Sequence, residues 1–573
     1  MLLHSYAIPF MLALYSFAFL VSATTLPDGL LKRQVPMEPN GVVTMTSPNG
    51  ASIRYKEPGK DGVCETTQGV NSYSGYISLN ATTNMFFWFF EARQNASTAP
   101  LTLWLNGGPG SDSLIGLFQE NGPCSITANL TSIVNRYSWS NISNMLYLSQ
   151  PIGVGFSYAT TKIGYDPNIN YLGVDLQPSD GRFSFVDPDH YDTTCLAAVG
   201  AWEILQAFLA NLPSLDATVS NRTFHLWTES YGGHYGPVFY QYFDEQVAKI
   251  ANGSINGSAL TMGTLGIGNG IIDEFIQTPY YPEFAMHNTC GIKAYNDTMY
   301  NFSKMAYSVP GGCAGKTYLH YRYKMPADSS APEWLKNCAL LKSSTPLGRT
   351  YCSSATNLCR SLVERIYHLY SGRSQYDIRH PYPDPTPPNY FVDYLNLNST
   401  QQAIGVDLNY TADFSQLVSS GFFSSGDFAY PLFKTLLEYL LSKCVQVLLY
   451  YGDADYICNW FGGEAVSLAL NYKHSAAFRA SGYTPFVVDG TEYGEVRQHG
   501  NLAFVRVYES GHEVPFYQPK ASLELFRRSL AELTIADGKE AATECYGTNG
   551  TANATHVEAL VPSPLCTGTS CHI

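Results

Sequence analysis

The 573-residue chain is 45% hydrophobic and only 14% charged, a composition that excludes disordered and coiled-coil chains and supplies ample material for a buried core. Its formal net charge is −14 and it has no basic run, which argues against nucleic acid as a partner. The length fits one very large domain, a core with a sizeable insertion, or two to three smaller domains.

In chain order, Ile8 to Val21 form an apolar run too short for a comfortable membrane span, and Val21-Ser22-Ala23 follow with small side chains. This pattern reads as a signal peptide over residues 1–23. Lys32-Arg33 either ends a short propeptide over 24–33 or is a chance exposed pair. No later apolar stretch is read as membrane-spanning. Thirteen N-x-S/T sequons begin at Asn80, Asn95, Asn129, Asn141, Asn221, Asn252, Asn256, Asn296, Asn301, Asn398, Asn409, Asn549 and Asn553. Their density favours a secreted protein, with a vacuolar destination as the alternative, and places these residues on surface loops wherever the sequons are used. Of 13 cysteines at least one is left over after pairing. Cys290, Cys313, Cys338, Cys352 and Cys359 crowd one stretch without zinc-ligand spacing and are read as disulfide-forming, with connectivity undetermined.

Residues 84–90 predict a strand, as do Leu101–Leu105, Met145–Leu148, Phe224–Trp227, Gly263–Gly270, Val445–Tyr451 and Phe504–Val507. His190–Leu209, Phe239–Val247 and Leu523–Leu533 predict helices. Alternating strands and helices indicate an α/β fold with a mostly parallel, covered sheet. The stretch 273–425 is rich in Pro, Cys and Tyr and lacks that rhythm. It is read as a helical, disulfide-bearing insertion that splits the core into 34–272 and 426–535, with 536–573 a C-terminal tail.

Thr228-Glu229-Ser230-Tyr231-Gly232 sits between a strand and a helix, as a nucleophile elbow does. Such a turn needs small residues two before and two after the serine. Gly232 fits, and Thr228 stands where glycine is usual. By itself this is weak evidence. Gly452-Asp453-Ala454-Asp455 and Ser510-Gly511-His512-Glu513-Val514-Pro515 each follow another strand, giving the chain order Ser, Asp, His of α/β-hydrolases.

Together with Trp104-Leu105-Asn106-Gly107-Gly108-Pro109-Gly110, these motifs resemble the serine carboxypeptidase family over residues 50–535, in the manner of a fungal secreted member. The resemblance implies an α/β-hydrolase core, no cofactor or metal, and peptide and protein C-termini as substrates. It implies Ser230 as nucleophile, His512 as general base, Asp455 as its orienting acid and Asp453 as structural. It further implies an oxyanion hole at the backbone N–H groups of Gly108 and Tyr231. A substrate-carboxylate site is implied at Asn106, Gly107, Glu120 and Glu229 above Trp104. Two close carboxyls cannot both ionise cheaply, so one stays protonated and donates to the substrate carboxylate in acid. Taken alone, Glu120 reads more readily as an ordinary surface acid.

Several residues depart from the pattern the resemblance implies. Ser111 replaces a cysteine and Asp112 brings a negative charge near the site. Glu513 follows the catalytic histidine, where it either lines the leaving-residue pocket and favours Lys or Arg or is merely solvated. Cys458 is the candidate free thiol beside the site, the other reading being a disulfide partner. His225, His234 and His499 are assigned to packing or surface. Two competing functions share the scaffold: an acyltransferase or esterase, and an inactive binding protein. The carboxylate clamp argues against the first, and the intact Ser230, Asp455 and His512 against the second. Oligomeric state is not legible.

Overall fold

The computed structural model describes residues 35–47, 50–164, 181–189, 191–309, 312–313, 356–411, 414–430 and 432–557. The signal peptide, the propeptide with Lys32-Arg33, Cys338, Cys352 and the end of the C-terminal tail lie outside them. Sixteen strands are formed among the described residues: β1 (Val43–Thr46), β2 (Ser52–Lys56), β3 (Ser72–Asn80), β4 (Thr83–Phe90), β5 (Leu101–Leu105), β6 (Cys124–Ile126), β7 (Ser132–Val134), β8 (Asn144–Leu148), β9 (Thr160–Ile163), β10 (Arg182–Phe185), β11 (Thr223–Glu229), β12 (Thr261–Gly268), β13 (Val447–Gly452), β14 (Thr484–Val488), β15 (Thr491–His499) and β16 (Leu502–Val507). Twelve of them build one sheet in the order β1-β2-β3-β4-β8-β5-β11-β12-β13-β16-β15-β14. Its central strands β8, β5, β11, β12, β13 and β16 run parallel. Both flanks are antiparallel.

Strands β4, β5, β8, β13 and β16 are buried along their whole length, because helices cover both faces. Period-two alternation splits β4 cleanly. Phe87 and Phe89 pack on Phe208 of the helix Thr194–Leu215. Phe86, Trp88 and Phe90 face the opposite core, where Phe526 of the helix Pro519–Leu530 stacks on Trp139. The helix Thr194–Leu215 begins four residues later than the pattern suggested, because Thr193 caps it by accepting the N–H of Leu196. It is also long and apolar enough to span a membrane, which the sequence reading overlooked, but it is mostly buried as a core helix on the sheet.

Among the described residues, the stretch between β12 and β13 contains helices and no strand, and carries the disulfide Cys313–Cys359. A second disulfide joins Cys64 to Cys124, and Cys195 is also disulfide-bonded. Most sequon asparagines are exposed, but Asn409 is 4% exposed and its Oδ1 accepts from the Arg182 N–H. The expectation that every sequon marks a surface loop therefore fails at Asn409.

Arg506 of β16 is fully buried. Its Nη2 donates to Asp453 Oδ2 at 3.1 Å, its Nη1 donates to Glu495 Oε1 at 3.2 Å, and the guanidinium lies 4.6 Å from the Trp460 ring centre. This pair ties the loop after β13 to β16 and β15. Removing one partner strands the other charge in the interior. Arg506→Met should cost about 3–5 kcal/mol of stability, read as a fall in the urea midpoint at unchanged m-value.

Candidate active site

The parallel strands deliver the motifs to one edge, since residues following their C-terminal ends emerge side by side. Ser230 lies just past β11 with φ of 62°, a left-handed conformation that costs a side-chain-bearing residue strain. The turn is held by the Ser230 N–H donating to Gly268 O, and by the N–H groups of Gly233 and Ile271 donating to Ser230 O. Thr228, off pattern in the sequence, is accommodated by Gly232. A Cβ at Gly232 would lie 2.5 Å from Thr228 Cβ, and the Thr228 hydroxyl donates to Gly232 O at 2.9 Å.

Asp455 is fully buried, and its Oδ2 lies 2.7 Å from His512 Nδ1. The same oxygen accepts from Asn269 Nδ2 at 2.8 Å. Asn269 was missed because the strand prediction ran through it to Gly270. In the structure β12 stops at Gly268 and Asn269 turns at φ of 43°. A Gly-Asn-Gly triplet ending an apolar run was the available signal. Tyr376, from the stretch between β12 and β13, packs its ring 5.2 Å from His512 and accepts the His512 backbone N–H at its carbonyl. Ser230 and His512 line one cavity of about 490 Å³ with Asn106, Gly107, Gly108, Glu229 and Glu513. Among the described residues no hydrogen bond joins the Ser230 hydroxyl to His512; catalytic hydrogen bonds commonly tighten only when substrate arrives.

The Gly107-Gly108 backbone sits directly against the elbow. A Cβ at Gly107 would lie 2.3 Å from Tyr231 N, and Gly108 has φ of 103°, so neither position admits a side chain. The backbone N–H groups of Gly107, Gly108 and Tyr231 donate to no acceptor among the described residues.

Asn106 organises the acids beside them. Its Oδ1 accepts from Trp104 Nε1 at 2.8 Å and from the Gly116 N–H at 2.9 Å. Its Nδ2 is thereby turned toward Glu120 Oε1 at 3.0 Å and Glu229 Oε1 at 3.2 Å. Glu120, which taken alone looked like a surface acid, is only 4% exposed. Burial, then the charge of Glu120, holds the Glu229 carboxyl well above the usual range, and burial also raises Glu120. One proton is thus kept within the pair. Glu229 Oε1 also lies 3.8 Å from His512 Nε2.

One expectation is resolved differently, at Asp112, while the structural reading of Asp453 and the packing reading of His225 and His234 hold. Asp112 is fully buried, accepting from Tyr410 OH at 2.9 Å, and does not line the cavity. Asp453 is engaged by Arg506 instead of His512. His225 and His234 are buried packing residues, each pushed down to about 4 by desolvation.

Cys458 carries a buried free thiol that lies within 4.8 Å of the ligand atoms of Asp455 and His512 and is pushed well above its ordinary pKa by burial. It is not the only free thiol, since exposed Cys444 and Cys545 are unbonded as well. A thiol held protonated reacts poorly as a nucleophile but still binds soft metals. Activity should therefore survive iodoacetamide at pH 6 and be lost to an organomercurial, and Cys458→Ala should abolish the mercurial effect. Loss of activity to mercurial in Cys458→Ala would assign the effect to another thiol.

A family model described as serine carboxypeptidase matches residues 58–532. The chain is 38% identical over 572 residues to Carboxypeptidase S1 homolog A of Arthroderma otae, covering 93% of this chain and 84% of that protein. It is 37% identical over 482 residues to Carboxypeptidase S1 of Penicillium janthinellum, covering 83% of this chain and 98% of that one. Among solved structures, a prohormone-processing carboxypeptidase from Saccharomyces cerevisiae matches with a TM-score of 0.61 at 20% identity, covering 85% of this chain and 98% of that one, a likeness of fold. With an α/β-hydrolase sheet that gathers serine, histidine and aspartate at one edge, and with this match across most of its length, the chain belongs to the serine carboxypeptidase family and is a serine-type carboxypeptidase.

Proposed function

We propose that the enzyme releases single C-terminal amino acids from peptides in acid through an acyl-enzyme on Ser230. His512 takes the Ser230 proton as Oγ attacks the scissile carbonyl and returns it to the leaving amino group, while Asp455 holds the imidazole. Gly108 and Tyr231 N–H groups receive the oxyanion, each such donor being worth roughly 3–4 kcal/mol. Water then cleaves the ester, with His512 acting as base again. The observation that carries the exopeptidase reading is the buried Glu120–Glu229 pair beside Ser230. An esterase or acyltransferase has no need of it. A protonated acid there donates to the substrate's terminal carboxylate, with the Gly107 N–H as a second donor and Trp104 beneath. We further propose that the stretch 273–425 acts as a cap over the core and that the protein is secreted. Release of free leucine from a blocked dipeptide at pH 4–5, abolished by Ser230→Ala, tests this reading; turnover of acyl esters alone would reject it.

The sign of the pH dependence follows from the raised carboxyl. Below its pKa Glu229 holds the proton and binds the substrate carboxylate. Above it, two carboxylates face a third. KM for peptides should rise roughly tenfold or more from pH 4 to 7, the equivalent of losing a charged hydrogen bond of about 1.5–3 kcal/mol. A peptide amide, lacking the carboxylate, should show no such rise. A KM flat between pH 4 and 7 would remove the protonated-acid argument.

Glu513 is half-buried on the cavity wall, near enough to raise the Glu229 carboxyl through its charge. We assign it to the leaving-residue pocket, where it favours Lys and Arg. Glu513→Met should lower kcat/KM for C-terminal Arg roughly tenfold and leave C-terminal Leu nearly unchanged. Equal losses on both would show that it carries no selectivity.

A further inference from the structure

The cavity is electrostatically two-sided. Glu513 lines it and acts on Glu229 through its charge, and Asp384 lies on the segment whose Pro387 and Pro388 carbonyls accept from Gln119, the neighbour of Glu120, so both belong to the side of the acid pair. Elsewhere its wall includes Ile271, Phe423, Ile457, Arg360 and Arg365. If the terminal carboxylate rests at Glu120 and Glu229, the acyl part of the peptide extends from Ser230 away from them. The ring of Phe428, on which the Arg360 guanidinium packs, lies 4.8 Å from that of Tyr231, the residue after Ser230, and Ile457 lines the cavity with Arg360, which puts Arg360 on the acyl side.

Arg360 is held firmly. It follows Cys359, whose disulfide to Cys313 anchors the turn. Its guanidinium carbon lies 4.5 Å from the Phe428 ring centre and 5.4 Å from that of Phe423. Nη2 meets Glu364 Oε1 at 2.9 Å. Nε and Nη1 are buried and have no hydrogen-bond partner among the described residues. Unfilled buried donors on a fixed cation cost free energy until an acceptor arrives. Glu364 neutralises one charge. Glu274, which also acts on Arg360, is raised to about 7 by burial and is protonated in acid. Arg365, exposed at the rim, adds a second positive charge.

We propose that Arg360, assisted by Arg365, is a specificity residue for the penultimate position and selects peptides whose second-last residue is Asp or Glu. The substrate carboxylate would pair with the guanidinium charge where Arg360 meets the cavity, the charge-assisted contact for which a guanidinium is best suited. The inference rests on the clamp reading given above, which sets the direction of the peptide.

The test is a series of blocked dipeptides with leucine leaving and Glu, Gln, Leu or Lys penultimate, assayed at pH 5.5. The wild-type enzyme should cleave the Glu peptide with kcat/KM at least tenfold above the Lys peptide. Arg360→Met should lower the Glu value tenfold or more while changing the Leu value less than threefold, and Arg360→Lys should restore part of the difference. Arg365→Gln is exposed and leaves the fold intact; it should reduce the Glu preference about threefold. A wild-type preference for Lys, or equal losses on Glu and Leu in Arg360→Met, would overturn the proposal. Should Arg360→Met not fold, the wild-type series and Arg365→Gln decide the matter. The leaving residue and terminal carboxylate are constant, so failure of the clamp slows every peptide alike. Failure of this proposal appears as a flat or reversed penultimate series.

Discussion

The orientation of one buried amide underlies the site. Asn106 Oδ1 accepts two donors, Trp104 Nε1 and the Gly116 N–H, and an amide so engaged has only its Nδ2 protons left to give. Both go to carboxyls, Glu120 on the turn Gly116–Glu120 and Glu229 at the end of β11. Three separate chain segments are thereby fixed around two acids in a water-poor pocket. Burial and the charge of Glu120 then hold the Glu229 carboxyl well above its usual range, which favours a proton kept within the pair. Asn106 itself is saturated in this arrangement. What it does in this arrangement is hold the two carboxyls together.

The elbow shows how a motif can tolerate an exception. Glycine is usual at the position of Thr228 because the turn brings that residue against the one four places later. Here Gly232 supplies all the space, and the threonine hydroxyl fills it with a hydrogen bond to the Gly232 carbonyl. The positive φ at Ser230 is held by three backbone hydrogen bonds, to the end of β12, to the loop after it and to the start of the following helix. The strain is thus carried by the sheet edge, which is among the most buried parts of the molecule.

Charge is distributed along the cleft with two signs. Its wall carries the acids Glu229, Asp384 and Glu513 and the arginines Arg360 and Arg365. The arginines, Tyr376 and Asp384 all come from the stretch between β12 and β13. The core thus holds the serine, aspartate and histidine, while the intervening stretch contributes helix and loop residues to the cavity wall, a division of the kind by which one scaffold serves different sites.

Much of this was readable in the chain alone. Buried strands such as Leu101–Leu105 announce themselves as apolar runs, because both their faces are covered. The serine, aspartate and histidine motifs are local, since each occupies a short turn after a strand whose backbone geometry restricts the residues allowed. The antiparallel flanks β1–β3, β14 and β15 were not legible, being mixed in polarity and defined by their partners across the sheet. The same holds for function. The chain alone located the serine, aspartate and histidine motifs that the fold brings together. Only the tertiary structure decided that Asp112 is buried away from the cavity, that Asn409 is closed off, that Asn269 supports Asp455, and that Arg360 reaches the cleft wall. Those outcomes depend on contacts between residues up to hundreds of positions apart, and local pattern contains no record of such distances.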